Sequence, residues 1–423
     1  MSIAFISLIS LVLSIIIVCF KPKMNAGVIA IAMAFVIGIF GAKLPMKSII
    51  SGFPTDLFLM LISICLLFNM AGQNGTLEKL SKFFIKSVKG NPKLFPLLFF
   101  FMTFLLSAIG PGNIAATALM APIGMAVASR ASISSLLMAI MICTGANAGA
   151  FSPVSPTGII GIGLMNKIGV NGPDMAMTVF MASAAIQSLS AISAYFIFKG
   201  YTATKTKSLE DFLLKQSVDK FDKKQILTLM AIIILVISVI FFKIQISLVA
   251  FSLVVFLSFM GTADEEKSIK NIPWGIILLV TGITILIGVM EKTGGLNMAT
   301  VMIAKISSGK TINSVLAFIT GVVSAYSSSS GVVMPAFIPL IPGIIFKLGT
   351  GNILEMIIAV AVGSHMVDVS PLSTLGALTI ASADEKVDKT KLFRNLLIWG
   401  LSMAVIGAFL AFVFLDLLHI VKL

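Results

Sequence analysis

Ser107-Ala-Ile-Gly-Pro-Gly-Asn113 with Ser152-Pro-Val-Ser155, and Ser324-Ala-Tyr-Ser-Ser-Ser-Ser330 with Ser370-Pro-Leu-Ser373, interrupt long apolar runs with small, polar, helix-breaking residues. In hydrocarbon such a break leaves backbone N–H and C=O groups unpaired, at roughly several kcal/mol per group. It survives where protein, water, an ion or a substrate satisfies those groups. Paired breaks at matching positions of two halves point to a binding site near the middle of a membrane. The same residues also serve simply to kink helices or let them pack closely. Four related breaks favour the site.

The surrounding chain sets the class. Of 423 residues, 58% are hydrophobic and only 11% charged, too apolar for a water-soluble domain of this length. Several runs reach the roughly 20 residues a helix needs to cross a bilayer core of about 30 Å. No series of short alternating segments marks a β-barrel. The expectation is an all-α polytopic membrane protein in the lipid bilayer of a bacterial-type plasma membrane. A formal charge of +13 raises nucleic acid as a partner. Lysines gathered in short loops between apolar runs are a topology signal instead, and no nucleic-acid binding is expected. Cys19, Cys65 and Cys143 fall inside apolar runs without metal-ligand or disulfide spacing. The run Ile3–Phe20 lacks a basic leader and a clear cleavage site, and reads as a retained first span.

Spans are expected near residues 3–20, 25–42 and 53–72, followed by a Lys-rich amphipathic segment, Glu78–Lys89, lying along the interface. Residues 93–128 read as a helix–turn–helix hairpin broken at Gly110-Pro111-Gly112. A span over 133–165 is interrupted at Phe151–Gly158, and another covers 175–198. After a polar linker, 199–224, the pattern restarts with spans near 225–243, 245–261 and 273–291 and a weakly amphipathic segment at 296–307. A second hairpin at 311–346, an interrupted span at 352–382 and a last span at 392–418 complete the chain.

The restart is a repeat in register. Pro54 and Pro273 are 219 residues apart, Pro122 and Pro339 217, and the two Ser-Pro-x-Ser motifs 218, with Gly158 and Gly376 following at the same offset. Asn74-Gly-Thr-Leu77 matches Thr293-Gly-Gly-Leu296. Each half holds five crossings, counting a hairpin as none. Five is odd, so the second half is expected upside down, an inverted-topology repeat. The loops at 21–24, 77–132, 199–224, 262–271 and 384–394 fall on one side and hold 21 of the 30 Lys and Arg residues. The positive-inside rule makes that side cytoplasmic and places both termini outside. The first hairpin then opens inward and the second outward.

At the hairpin tips, Asn113 is expected to cap the helix that starts at Ile114, and Ser330 the helix that runs through Pro335. Helices starting at mid-membrane point free N–H groups and a partial positive end into the site, which suits an anion. The breaks at Ser152–Gly158 and Ser370–Gly376 add hydroxyls and carbonyls suited to a small cation or to the rim of a carboxylate. His365 and Asp368, three apart, share a helical face just before Ser370, either as a cation- or proton-coupling pair or as a structural one. Asn147 stands at the position equivalent to His365. Asp56 reads as an interfacial residue, Asp416 and His419 as marking the outer end of the last span, and Arg130 and Lys167 as flanking charges. No Ser–His–Asp, metal-ligand or phosphate-loop constellation is convincing; Gly158, Gly161 and Gly163 follow no strand, so no nucleotide loop is expected.

The stretch Gly112-Asn-Ile-Ala-Ala-Thr-Ala-Leu-Met-Ala-Pro122 resembles the Ser-Asn-Thr signature region of the divalent anion:sodium symporter family, with Asn113, Ala115, Thr117, Ala118, Met120 and Pro122 fitting. The whole chain resembles the malonate and dicarboxylate carriers of the same ion transporter superfamily. That resemblance implies a homodimer with a scaffold and a moving, elevator-like transport domain. The scaffold would comprise 1–91 and 225–310, the transport domain 92–200 and 311–423, with 201–224 as a cytoplasmic linker. It also implies carboxylate contacts from the signature Asn and Thr, and sodium sites built with the neighbouring broken span. The expected substrate contacts are Asn113, Thr117, Ser155, Thr157, Ser329, Ser330, Ser373 and Thr374. The expected cation-coupling positions are Ser107, Asn113, Ser152, Ser329, His365, Asp368 and Ser370. Here the second signature reads Ser329-Ser330-Gly331, so only Asn113 and Ser329 match by residue type.

The function expected is secondary active transport of a small organic anion such as malonate, malate or succinate by cation symport. No cofactor is expected beyond a coupling Na+ or H+. The rival readings are a cation/proton antiporter or arsenite-type exporter on the same scaffold, favoured by Asp368, and a gated channel. A membrane enzyme lacks its catalytic residues.

Overall fold

Long apolar runs in lipid fold as helices because a helix pairs every backbone group within its own segment. A computed structural model of the chain describes residues 2–21, 24–80, 91–204, 206, 220–242, 244–325, 327–385, 387–419 and 421, and among these every regular element is helical. The expected interfacial segment at 78–89 lies mostly outside the described residues. Seven helices are long and apolar enough to cross a membrane, by length and composition.

The first half runs through α1 (Ile3–Phe20), α2 (Ala26–Gly41), α3 (Thr55–Gln73), α4 (Phe95–Ala108), α5 (Gly112–Arg130), α6 (Ser135–Ala150), α7 (Pro156–Lys167) and α8 (Pro173–Ile197). The second half restarts where Asp222 and Gln225 form a capping box, the reciprocal bond pair that satisfies two orphan N–H groups. It continues as α9 (Lys223–Ile240), α10 (Ile246–Phe259), α11 (Trp274–Thr293), α12 (Gly295–Lys305), α13 (Ile312–Ser324), α14 (Ser329–Leu348), α15 (Ile353–Met366), α16 (Thr374–Ala381) and α17 (Lys389–Leu417). Both hairpins and both interrupted spans expected from the sequence are broken where the Gly, Pro and Ser residues stand.

The interrupted spans form the centre. Nearly every residue of α6 and α15 is buried, and small residues let neighbouring backbones touch them. A Cβ on Gly145 would lie 2.2 Å from Phe100 O of α4, and one on Gly363 2.2 Å from Ala317 O of α13. These two glycines are 218 residues apart, the same offset as the two Ser-Pro-x-Ser motifs. The same pairing recurs elsewhere: α4 packs on α6 as α13 packs on α15, and α2 packs on α11 as α10 packs on α3. Outside the centre, α1, α2 and α11 share a separate apolar cluster around Leu11, Ile37 and Leu286. There Gly27 and Gly282 bring two helix backbones into direct contact.

Two details of the caps differ from the sequence reading. Gly112, with φ +81°, opens α5 ahead of Asn113, so Pro111 holds the N-cap position. In the second hairpin Ser328, in extended conformation, caps the helix by accepting from Gly331 N at 3.0 Å, which frees Ser329 and Ser330 from that task. Asp416, expected to mark the outer end of the last span, also caps a helix. It is buried, and its carboxylate accepts from Asn313 N (3.0 Å) and Ser314 N (2.9 Å), the first N–H groups of α13. An anion at a helix N-terminus is favourable on both hydrogen-bond and dipole grounds. His419 Nδ1 lies 3.2 Å from the carboxylate of buried Glu355 on α15, tying the chain end to the same bundle.

Candidate functional site

Each Ser-Pro-x-Ser break is built the same way. Ser155 Oγ donates toward the carbonyls of Ala150 and Ser152 and accepts from Gly158 N at 3.3 Å. Ser373 Oγ donates toward those of Asp368 and Ser370 and accepts from Gly376 N at 3.4 Å. The second serine of each motif is thus the N-cap of the helix that follows, and the glycine three residues on lets that helix start against the turn. A Cβ on Gly158 would lie 1.9 Å from Ser152 O, and one on Gly376 2.1 Å from Ser370 O. The hydroxyls of Ser155 and Ser373 hold the break together.

The two breaks differ in what covers them. Gly112 at the first hairpin tip sits against Pro156, a Cβ there lying 3.0 Å from Pro156 Cδ. Ser155 and Thr157, on either side of Pro156, are buried. In the second half Thr374 stands where Pro156 does, and the start of α16 faces a cavity of about 880 Å³.

That cavity is where the halves meet. The first hairpin tip brings Asn113 and Ile114, the second brings Ser327–Ser330, and the second broken span brings Asp368, Ser373 and Thr374. Ile15, Asn25 and Leu279, from the α1, α2 and α11 side, close the opposite wall. Starts of α5, α14 and α16 therefore converge on one space, each with a partial positive end and each with one N–H bonded to a side chain: Ile114 to Asn113, Gly331 to Ser328 and Gly376 to Ser373. Asp368 is the one formally charged side chain among the described lining residues.

Two hydrogen-bond chains hold the tips. Asn113 Nδ2 donates to Asn147 Oδ1 at 2.9 Å, and Asn147 Nδ2 donates to the His365 carbonyl at 2.9 Å, joining first tip, α6 and α15. Ser329 Oγ lies 2.6 Å from Asp368 Oδ1 and 2.6 Å from Ser324 Oγ, and reaches the Ser364 carbonyl at 3.2 Å. The 2.6 Å separation lies within the range of a hydroxyl hydrogen bond.

Of the expected site residues, Asn113, Ser329, Ser330, Ser373, Thr374 and Asp368 line the cavity, whereas Ser107, Thr117, Ser152, Ser155, Thr157, His365 and Ser370 lie outside its lining. His365 and Asp368 diverge at the break. His365 packs edge-on to Phe151 at 4.6 Å and bonds Ala361 O, while Asp368, on the turn Val367–Val369, faces the cavity. Sequence reasoning missed the cavity wall at Asn25 and the bridging role of Asn147. The signal for Asn147 was an amide buried in an apolar span, opposite a histidine in the repeat.

Residues 1–150 match the family model described as the N-terminus of the dicarboxylate carrier protein MatC. The match takes in the first hairpin, its tip and α6. The match covers 150 of the 423 residues and is a likeness of the first part of the chain to that carrier. With the seven apolar helices it supports a membrane-embedded protein. A search of curated proteins finds no match.

Proposed function

We propose that this chain is a secondary active transporter that binds a small dicarboxylate between its two hairpin tips and moves it together with a cation. The observation that carries this reading is the convergence of three helix starts and one carboxylate on a single cavity at the junction of the halves. Helix N-termini and amides supply partial positive charge for carboxylate groups without a fixed cation. A dianion is only partly neutralised that way, so a co-bound Na+ or H+ offsets the remaining repulsion. The size of the cavity suits a small ligand with accompanying water.

The matching offsets, the paired glycines and the recurrent helix pairings support an inverted repeat of two five-span halves with re-entrant hairpins. The 21 basic residues of one set of loops support a cytoplasmic face there, with both termini outside a bacterial-type plasma membrane. The hairpins and broken spans act as the transport unit, moving past the α1, α2 and α11 side in an elevator-like stroke within a homodimer.

Uptake of labelled malonate, malate and succinate into proteoliposomes, with Na+ or pH gradients applied singly, tests the reading. Asn113→Ala is expected to lower uptake while leaving folded yield intact. Uptake that persists unchanged when both gradients are collapsed excludes symport. Asp368 in the cavity wall favours a second reading, cation/proton exchange on the same scaffold. Asp368→Asn that spares anion uptake but abolishes a proton signal selects it.

A further inference from the structure

A second space, of about 370 Å³, lies against the first broken span, bounded by α3, α7, α8 and the junction of α9 with α10. Pro153 of the first Ser-Pro-x-Ser break lines it, together with Ile159 and Met165 of α7. It shares no described lining residue with the cavity between the hairpin tips. Its volume falls within the range of small-ligand sites, about 300–1,000 Å³.

Walls and mouth differ in character. Ile159, Met165, Val170, Ala176 and Ile246 form buried apolar walls. The polar lining residues, Asn166, Asp174 and Gln245, are all exposed and stand near the end of α7, at the start of α8 and just before α10. Among the described residues none of these three side chains makes a hydrogen bond. Asp174 is the one charged residue in the described lining. The loops joining α7 to α8 and α9 to α10 fall on the side opposite the basic loops, so in the proposed orientation the mouth opens at the outer leaflet.

We infer that this cavity is a lipid site, which takes one acyl chain of an outer-leaflet phosphatidylethanolamine whose ammonium group sits among Asp174, Asn166 and Gln245. A chain in the cavity is no better shielded from water than a chain in the bilayer, because lipid tails are as apolar as leucine. It does give the walls dispersion contacts that a void would forfeit. Those contacts are the same for any head group, so the mouth sets the preference. An ethanolamine ammonium offers three N–H donors to one carboxylate and two amide oxygens. A phosphatidylglycerol head brings only negative charge towards Asp174. The site is separate from the space between the tips, and lipid binding there does not depend on dicarboxylate transport.

Native mass spectrometry of the purified full-length chain tests this, with phosphatidylethanolamine and phosphatidylglycerol of matched chains competing in equal amounts. One retained phosphatidylethanolamine per chain is expected, favoured over phosphatidylglycerol by about fivefold or more, the ratio that one charge contact at the membrane surface supports. Equal retention of the two lipids overturns the assignment. Asp174→Asn is expected to bring the ratio within about twofold, as loss of that charge contact requires. Ile162→Trp, which fills the cavity from α7, is expected to remove the retained lipid whatever its head. A preference that survives Asp174→Asn, or retention that survives Ile162→Trp, also overturns it. Asp174 is exposed, so its variant keeps the fold, and its head-group ratio decides if the tryptophan variant does not fold. Failure of dicarboxylate uptake leaves the lipid result standing, and loss of the lipid preference leaves the transporter reading standing.

Discussion

Gly376→Ala and Gly158→Ala place the same strain on two related turns with different surroundings. An alanine Cβ would lie 2.1 Å from Ser370 O in the first variant and 1.9 Å from Ser152 O in the second. An ordinary contact needs about 3.4 Å, so each turn must open by roughly 1 Å or more, at an overpacking cost of about 1–3 kcal/mol. Loss of the serine cap adds roughly 1 kcal/mol. Both variants are therefore expected to lose comparable stability in thermal unfolding of the purified protein. Their effects on substrate should part. The start of α16 borders the cavity, whereas no residue of α7 lines it and Pro156 at the start of α7 packs against Gly112. Tilting α16 removes a hydrogen bond to a charged ligand, worth about 1.5–3 kcal/mol, so the KM for dicarboxylate uptake should rise about 10- to 150-fold. Gly158→Ala should leave KM within about threefold, since each tenfold takes roughly 1.4 kcal/mol. Equal KM increases in the two variants would refute the assignment of the open cavity to the second broken span.

Asn147→Ala removes both bonds that join the first tip to α15, leaves Asn113 and the His365 carbonyl short of partners, and is expected to destabilise by about 2–4 kcal/mol. Thermal unfolding checks this, and a loss under about 0.5 kcal/mol contradicts it. Asp416→Ala strips the cap from α13 and should lower stability by about 1–2 kcal/mol, with faster hydrogen exchange confined to the first turn of α13. Exchange unchanged at residues 313–316 would show that the carboxylate is dispensable. Gly145→Ala and Gly363→Ala each drive a methyl into a carbonyl of the adjacent helix, and both are expected to reduce folded yield sharply in size-exclusion profiles.

Much of this architecture is legible in the chain because apolar runs and their interruptions obey local rules. The breaks at Gly110–Gly112 and Ser327–Ser328 stand where glycine, proline and serine replace helix formers, and the restart at Asp222–Gln225 carries its own capping signature. What is less legible depends on neighbours distant in sequence. Ser155 and Ser373 look like ligands by residue type, but each hydroxyl is engaged by its own turn. Pro156 and Thr374 look like equivalent positions until the Gly112 turn is found lying over only one of them. Asn147 bridges residues 34 and 218 positions away, a relation that no local pattern encodes. Asp416 reads as marking the outer end of the last span, and its role as the cap of α13 depends on residues about a hundred positions away.

The bridge through Asn147 bears on what kind of opening is mechanically allowed. A loop tip that gates by itself needs a free margin around which to swing, and here the first tip is fastened through α6 to the backbone of α15, which also carries the turn bonded to the second tip. Neither turn has an independent pivot. Under the proposed carrier cycle, exposing the cavity to alternate sides would displace both turns as one block relative to Ile15, Asn25 and Leu279 in the cavity lining.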